Sequence, residues 1–105
     1  MIYSEQVVVD ALGVLPVNRD GDGITEFFKI TRDGSKLRVV FHQYDDAATI
    51  EWHMPSGGCG IRLDLKELQG LRSVRDPKST FLELATPHTA VQIWFNPEAR
   101  IYVLA

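Results

Sequence analysis

The chain has 105 residues, a formal net charge of −3 with a pI near 5.5, and one cysteine. That length fits one β-rich domain spanning residues 1–105, since single domains commonly run to roughly 100–150 residues. The 45% hydrophobic and 24% charged fractions exclude a disordered tail, a collagen-like chain and a coiled coil, and the mild acidity argues against nucleic acid as a partner.

The opening Met1-Ile2-Tyr3-Ser4-Glu5-Gln6 has no basic start and no long apolar run, so it does not read as a secretory signal. No stretch approaches the roughly 18 apolar residues of a membrane helix. The expectation is a cytoplasmic protein with no membrane association. Cys59 has no second cysteine to pair with, which suits a reducing compartment.

Val8–Leu15 is short and apolar. Its valine run and Gly13 favour a strand there over a helix. Pro16 to Gly23 reads as the longest loop, and it carries Asp20 and Asp22. Asn18-Arg19-Asp20-Gly21-Asp22-Gly23 has the opening spacing of a calcium-binding loop. The twelfth position, however, is Lys29, a cation where a bidentate carboxylate is required. An acidic surface loop is the better reading.

From there the hydrophobic period is two. Phe27–Thr31 and Lys36–Tyr44 flank Arg32-Asp33-Gly34-Ser35, a hairpin signal because glycine accepts positive φ at no steric cost. Leu37, Val39 and Phe41 alternate with polar neighbours, as do Ile50, Trp52 and Met54. A four-residue turn at Asp45–Ala48 would set Tyr44 opposite Thr49, His42 opposite Glu51, Val40 opposite His53 and Phe41 opposite Trp52. That register makes a His42–Glu51 pair, with a raised histidine pKa.

After Pro55-Ser56-Gly57-Gly58, the run Cys59, Ile61, Leu63, Leu65 alternates again. Asp64-Leu65-Lys66-Glu67-Leu68-Gln69-Gly70 then has a cap, a carboxylate three residues on and a terminal glycine, which predicts a short helix near 65–70. Phe81–Ala85, Ala90–Phe95 and Arg100–Leu104 complete the strands, separated by Thr86-Pro87-His88-Thr89 and Asn96-Pro97-Glu98-Ala99. The fold class is mainly β. It is a single antiparallel sandwich, or a bent, partly closed barrel-like sheet, of about seven to nine strands with that one short helix.

Charge is uneven. Residues 1–60 carry nine acids and five bases, whereas 61–78 carry Arg62, Lys66, Arg72, Arg75 and Lys78 against three acids. Such a mixed segment reads first as a solvated face.

Several constellations could carry chemistry. Cys59 lies in a glycine-rich turn, but no histidine is placed beside it, and its alternation with Ile61 and Leu63 reads as core packing. His42, His53 and His88 match no metal-ligand spacing. Trp94 and Tyr102 share a strand face opposite the core residues, either covered by other structure or exposed as an aromatic anchor. No cofactor is expected.

The reading that remains is a non-catalytic protein-binding module, an inhibitor, immunity protein or phage-type modulator that blocks a partner protein. Its binding residues are the acidic loop tips Asp20, Asp22, Asp45 and Asp46, which suit a basic partner. A structural or assembly subunit, including a homo-oligomer, is the alternative. A small Cys/His or metal-dependent hydrolase ranks third.

Overall fold

The computed structural model describes residues 2–104, apart from the side chain of Cys59. The elements in chain order are α1 (Glu5–Leu12), β1 (Asn18–Arg19), β2 (Ile24–Ile30), β3 (Lys36–His42), β4 (Ala47–His53), β5 (Cys59–Leu65), β6 (Gly70–Arg75), β7 (Thr80–Ala85), β8 (Ala90–Asn96) and β9 (Arg100–Leu104). A 3-10 turn, Gln43–Asp45, joins β3 to β4. The strands form two antiparallel sheets, β1-β2-β3-β4-β5 and β6-β7-β8-β9, in which each strand pairs only with its chain neighbours. The mainly β expectation therefore holds, as two meanders and not as a closed barrel.

Alternation decides which faces meet. In the first sheet Phe27, Leu37, Val39, Phe41, Ile50 and Trp52 are buried. In the second, Leu82, Leu84, Val91 and Ile93 are buried on one face. These residues join Val8, Ala11 and Leu12 of α1 in one hydrophobic core. Phe27 meets Phe41 edge-on at 6.0 Å between ring centroids, a favoured aromatic geometry.

The one α-helix among the described residues, α1, overlaps the Val8–Leu15 segment expected as a strand and does not lie near 65–70. Its ends lie at Ser4, whose hydroxyl accepts from the Val7 amide at 3.5 Å, and at Gly13, whose φ of 73° forms a left-handed C-cap. Val8, Ala11 and Leu12 recur at helical spacing and face the core, which outweighs the weak helix propensity of the valines. The helix packs on β6 and β7. It is held to the first sheet by the Glu5–Arg19 ion pair and by Lys29 Nζ, which donates to the Leu12 carbonyl at 2.6 Å.

The expected helix near 65–70 does not form. Leu65 continues the β5 alternation into the core, and Gly70 is already paired with Ala85 in β6. The four residues between them carry the chain from one sheet to the other. Glu67 turns there at φ 58°, the Leu68 amide donates to the Asp46 carbonyl, and the Gln69 amide donates to that of Ala85. Those tertiary hydrogen bonds take the place of a helical turn.

The β3–β4 register also differs from expectation. His42 faces Ala47, Arg38 faces Glu51 and Leu37 faces Trp52. The predicted His42–Glu51 pair is not made, because the turn spans 43–46 and Tyr44 leaves the strand. The offset is an even number of residues, so the buried face is unchanged. Arg38 takes the central place on the outer face, paired with Glu26 across β2 and with Glu51 across β4. Its hydrogen bond holds the Glu51 carboxyl below the usual carboxylate range.

Replacing Arg38 with Met should therefore cost about 1–2 kcal/mol near neutral pH, as two charge-assisted bonds are lost and two carboxylates are left adjacent. Because the folded-state pKa of Glu51 is lowered, its contribution is present above the unfolded value. It is lost as pH falls through the lowered folded value. Urea denaturation at stepped acidic pH should show the variant and the parent converging.

Candidate functional site

The strand ends decide which loops meet. Ile24 opens β2 opposite His42 at the close of β3, and Ala48 in β4 lies opposite Leu65 at the close of β5. The 20–23 turn, the 43–46 turn and the 66–69 crossover therefore gather at one end of the first sheet. The four predicted binding residues, Asp20, Asp22, Asp45 and Asp46, all lie in this group of loops.

Their roles divide. The Asp20 carboxylate closes its own turn, accepting from the amides of Asp22 at 2.9 Å and Ile24 at 3.3 Å. Asp46 adopts φ 45°, and its carboxylate accepts from the Ile2 amide at 3.4 Å. Asp22 and Asp45 are exposed, and no side-chain hydrogen bond or ion pair engages their carboxylates among the described residues. Those two carboxylates have no counter-charge among the described residues.

An aromatic residue sits among them that alternation alone places on a strand face. Tyr44 is 68% exposed, and its ring lies against Gly23. A Cβ at Gly23 would come within 2.8 Å of that ring, and Gly23 has φ 78°. The Gln43 amide donates to the Gly23 carbonyl at 2.9 Å, which ties the two turns together. No sequence signal links Gly23 to Tyr44, because the contact joins two turns separated by the whole β2–β3 hairpin. Beside the 43–46 turn, an open cleft of about 630 Å³ is lined by Asp45, Asp64 and Glu67 together with His42, Thr49 and Lys66. Asp46 and Glu67, the two non-glycine residues with positive φ among the described residues, both belong to this end.

A second surface covers the outer face of the other sheet. Trp94 stacks on Phe81 at 4.4 Å and meets Tyr102 edge-on at 6.1 Å, so the suspected Trp94–Tyr102 proximity is real. The Trp94 indole donates to the Gln92 carbonyl oxygen at 3.0 Å, and Gln92 in turn donates to Glu83 at 2.8 Å. Arg72 completes the chain by donating to Glu83 at 2.6 Å, which holds the Glu83 carboxyl below its ordinary range. Tyr102 is 42% exposed and Trp94 is half-buried, so part of this face remains open to solvent.

The remaining candidates are dispersed. His42 pairs with Ile24 and Ala47, whereas His53 lies at the other end of the sheet, opposite Lys36 and Cys59. His88 is in the β7–β8 turn. Among the described residues, no three His, Cys, Asp or Glu side chains are grouped to hold a metal ion. The core role foreseen for Cys59 concerns a side chain outside the described residues. The calcium-loop spacing is broken by structure as well, since Asn18 and Arg19 form β1 and Lys29 binds the end of α1. The basic 61–78 segment does not form one strip. Arg62 pairs with Asp64 in one sheet, and Arg72 pairs with Glu83 in the other.

Gly23→Ala should destabilise the protein by at least about 1 kcal/mol, through both the left-handed backbone and the Tyr44 ring. Adding Tyr44→Ala should recover the steric part of that loss and leave the backbone part. Chemical denaturation of both single variants and the double variant checks this. Additive losses in the double variant would remove the Tyr44 contact as a cause.

No family model matches the chain, and no curated protein matches it. Among solved structures it is similar to one chain of a contact-dependent growth inhibition toxin–immunity protein complex from Klebsiella pneumoniae 342. The TM-score is 0.72 at 11% sequence identity, over 96% of this chain and 92% of that one. The two chains share a fold along nearly their whole lengths.

Proposed function

We propose that the chain is an immunity-type inhibitor, which binds a protein toxin and blocks its action. The observation that carries the reading is the near end-to-end likeness in fold to a chain of a toxin–immunity protein complex. Fold alone does not fix function, so the surface must supply the chemistry. Asp22 and Asp45 present free carboxylates, Asp20 and Asp46 hold the turns that carry them, and Tyr44 stands exposed between the two turns. An aromatic anchor with a charged rim suits a protein interface, and acidic residues steer a basic partner toward it.

The deciding experiment is growth of bacteria expressing this chain with and without a candidate toxin domain from the same genome. The chain alone should leave growth unaffected, and together with the toxin it should restore growth and co-purify as a stoichiometric complex. Growth arrest by the chain alone would assign it to the toxin side. The double charge reversal Asp22→Lys/Asp45→Lys should slow association with that toxin by at least about tenfold at low salt, with a smaller effect at high salt. Unchanged association would remove the acidic end from the interface.

The second reading, a self-assembling subunit, rests on β9. It is an edge strand with Tyr102, Val103 and Leu104 exposed, a pattern open to pairing with a second copy. Sedimentation at high concentration separates the two, since a monomer throughout would exclude self-assembly through this edge.

A further inference from the structure

At the end of the molecule away from the acidic turns, a cavity of about 330 Å³ opens between the C-terminus of α1 and the ends of β2, β6, β7 and β8. Lys29, Arg32 and Arg75 line it, with Thr80, Asn96 and Phe95, and its lining includes no Asp or Glu. Elsewhere the arginines are matched. Arg19, Arg38, Arg62, Arg72 and Arg100 each pair with a carboxylate. The two arginines with no ion pair among the described residues are Arg32 and Arg75, and both line this cavity, Arg32 at the border with a neighbouring cleft lined by Asp33 and Glu98.

Lys29 is fixed in the wall. Its ammonium donates to the Leu12 carbonyl at 2.6 Å and lies 5.4 Å from the centre of the Phe95 ring. An ammonium has three donors, so two remain. Burial, and then the charge of Arg75, push the Lys29 pKa down. The Arg75 charge acts on Lys29 within a lining that holds no carboxylate, and an anion bound there would offset both that repulsion and the cost of burying the ammonium.

We propose that this cavity is an oxyanion site that takes a dianionic phosphate group. Guanidinium forks match tetrahedral phosphate oxygens, and an ammonium adds a compact charge. The volume is at the lower end for small-ligand sites, roughly 300 Å³ and above, which suits a phosphate with a modest group attached. The proposal is independent of the immunity reading, because none of its residues belongs to the acidic end.

The test is titration of the whole chain with inorganic phosphate at constant ionic strength, followed by the NMR signals of the Arg32 and Arg75 Nε–H groups and by thermal denaturation. Saturable shifts and a raised Tm are expected. Arg75→Gln should weaken binding about tenfold, whereas Lys36→Gln, outside the cavity, should leave it unchanged. A second arm uses adenosine 5′-monophosphate. Tighter binding than inorganic phosphate identifies a phosphate carried on an organic group, and equal or weaker binding identifies the free oxyanion. Either result supports the site. Shifts no larger than those with chloride, or equal shifts in Arg75→Gln, would overturn it.

Discussion

The structure depends on the crossover at residues 66–69. Each meander has one apolar face and is unstable until that face is covered, so two sheets must be brought together by whatever joins them. Here the joint is only four residues long. With so little chain, β6 has to begin beside the place where β5 stops. The Leu68 amide is bound to Asp46 in the first sheet's loops and the Gln69 amide to Ala85 in the second sheet. Leu68 itself is buried in the core. The crossover is thus hydrogen-bonded to both layers and packed between them.

A short joint also sorts the loops. The 20–23 and 43–46 turns fall at the crossover end, whereas the loop after β2 and the ends of β6 and β8 fall at the other. The acidic group Asp20, Asp22, Asp45 and Asp46 occupies the first end. The unpaired Arg32 and Arg75 occupy the second. A sequence whose charges look mixed folds into a molecule with opposite character at its two ends. The charges between them are largely internal matters, with Arg38 binding Glu26 and Glu51 on one outer face and Arg72 binding Glu83 on the other.

Much of this was legible in the residues. Strand positions and buried faces followed from alternation, because a pleated strand offers its sides in turn. The register of β3 and β4 was not legible, since alternation fixes parity but leaves shifts of two open. What settles it is Asp46 in a left-handed conformation and the Gln43–Gly23 hydrogen bond. The helix was misplaced for a related reason. The valine run and Gly13 argued locally for a strand, whereas in the fold Gly13 closes the helix as its left-handed C-cap and Ser4 opens it. Asp64 to Gly70 argued locally for a helix and was overruled by tertiary hydrogen bonds. Of the candidate site, the carboxylates could be read. Their assembly around Tyr44 could not, because it arises from a ring resting on a distant glycine.

The placement of α1 carries a consequence for the order of events in synthesis. Every strand pairs with its chain neighbours, so the first sheet can zip up once residue 65 has been made, with little loop entropy to overcome. The helix precedes all the strands, yet the surfaces it packs on are β6 and β7. It must wait, tethered by a short segment, while some seventy residues are added by a ribosome moving at roughly 5–20 residues per second. Its ties to Arg19 and Lys29 can hold it against the first sheet meanwhile, but for several seconds Val8, Ala11 and Leu12 have no second sheet to bury them.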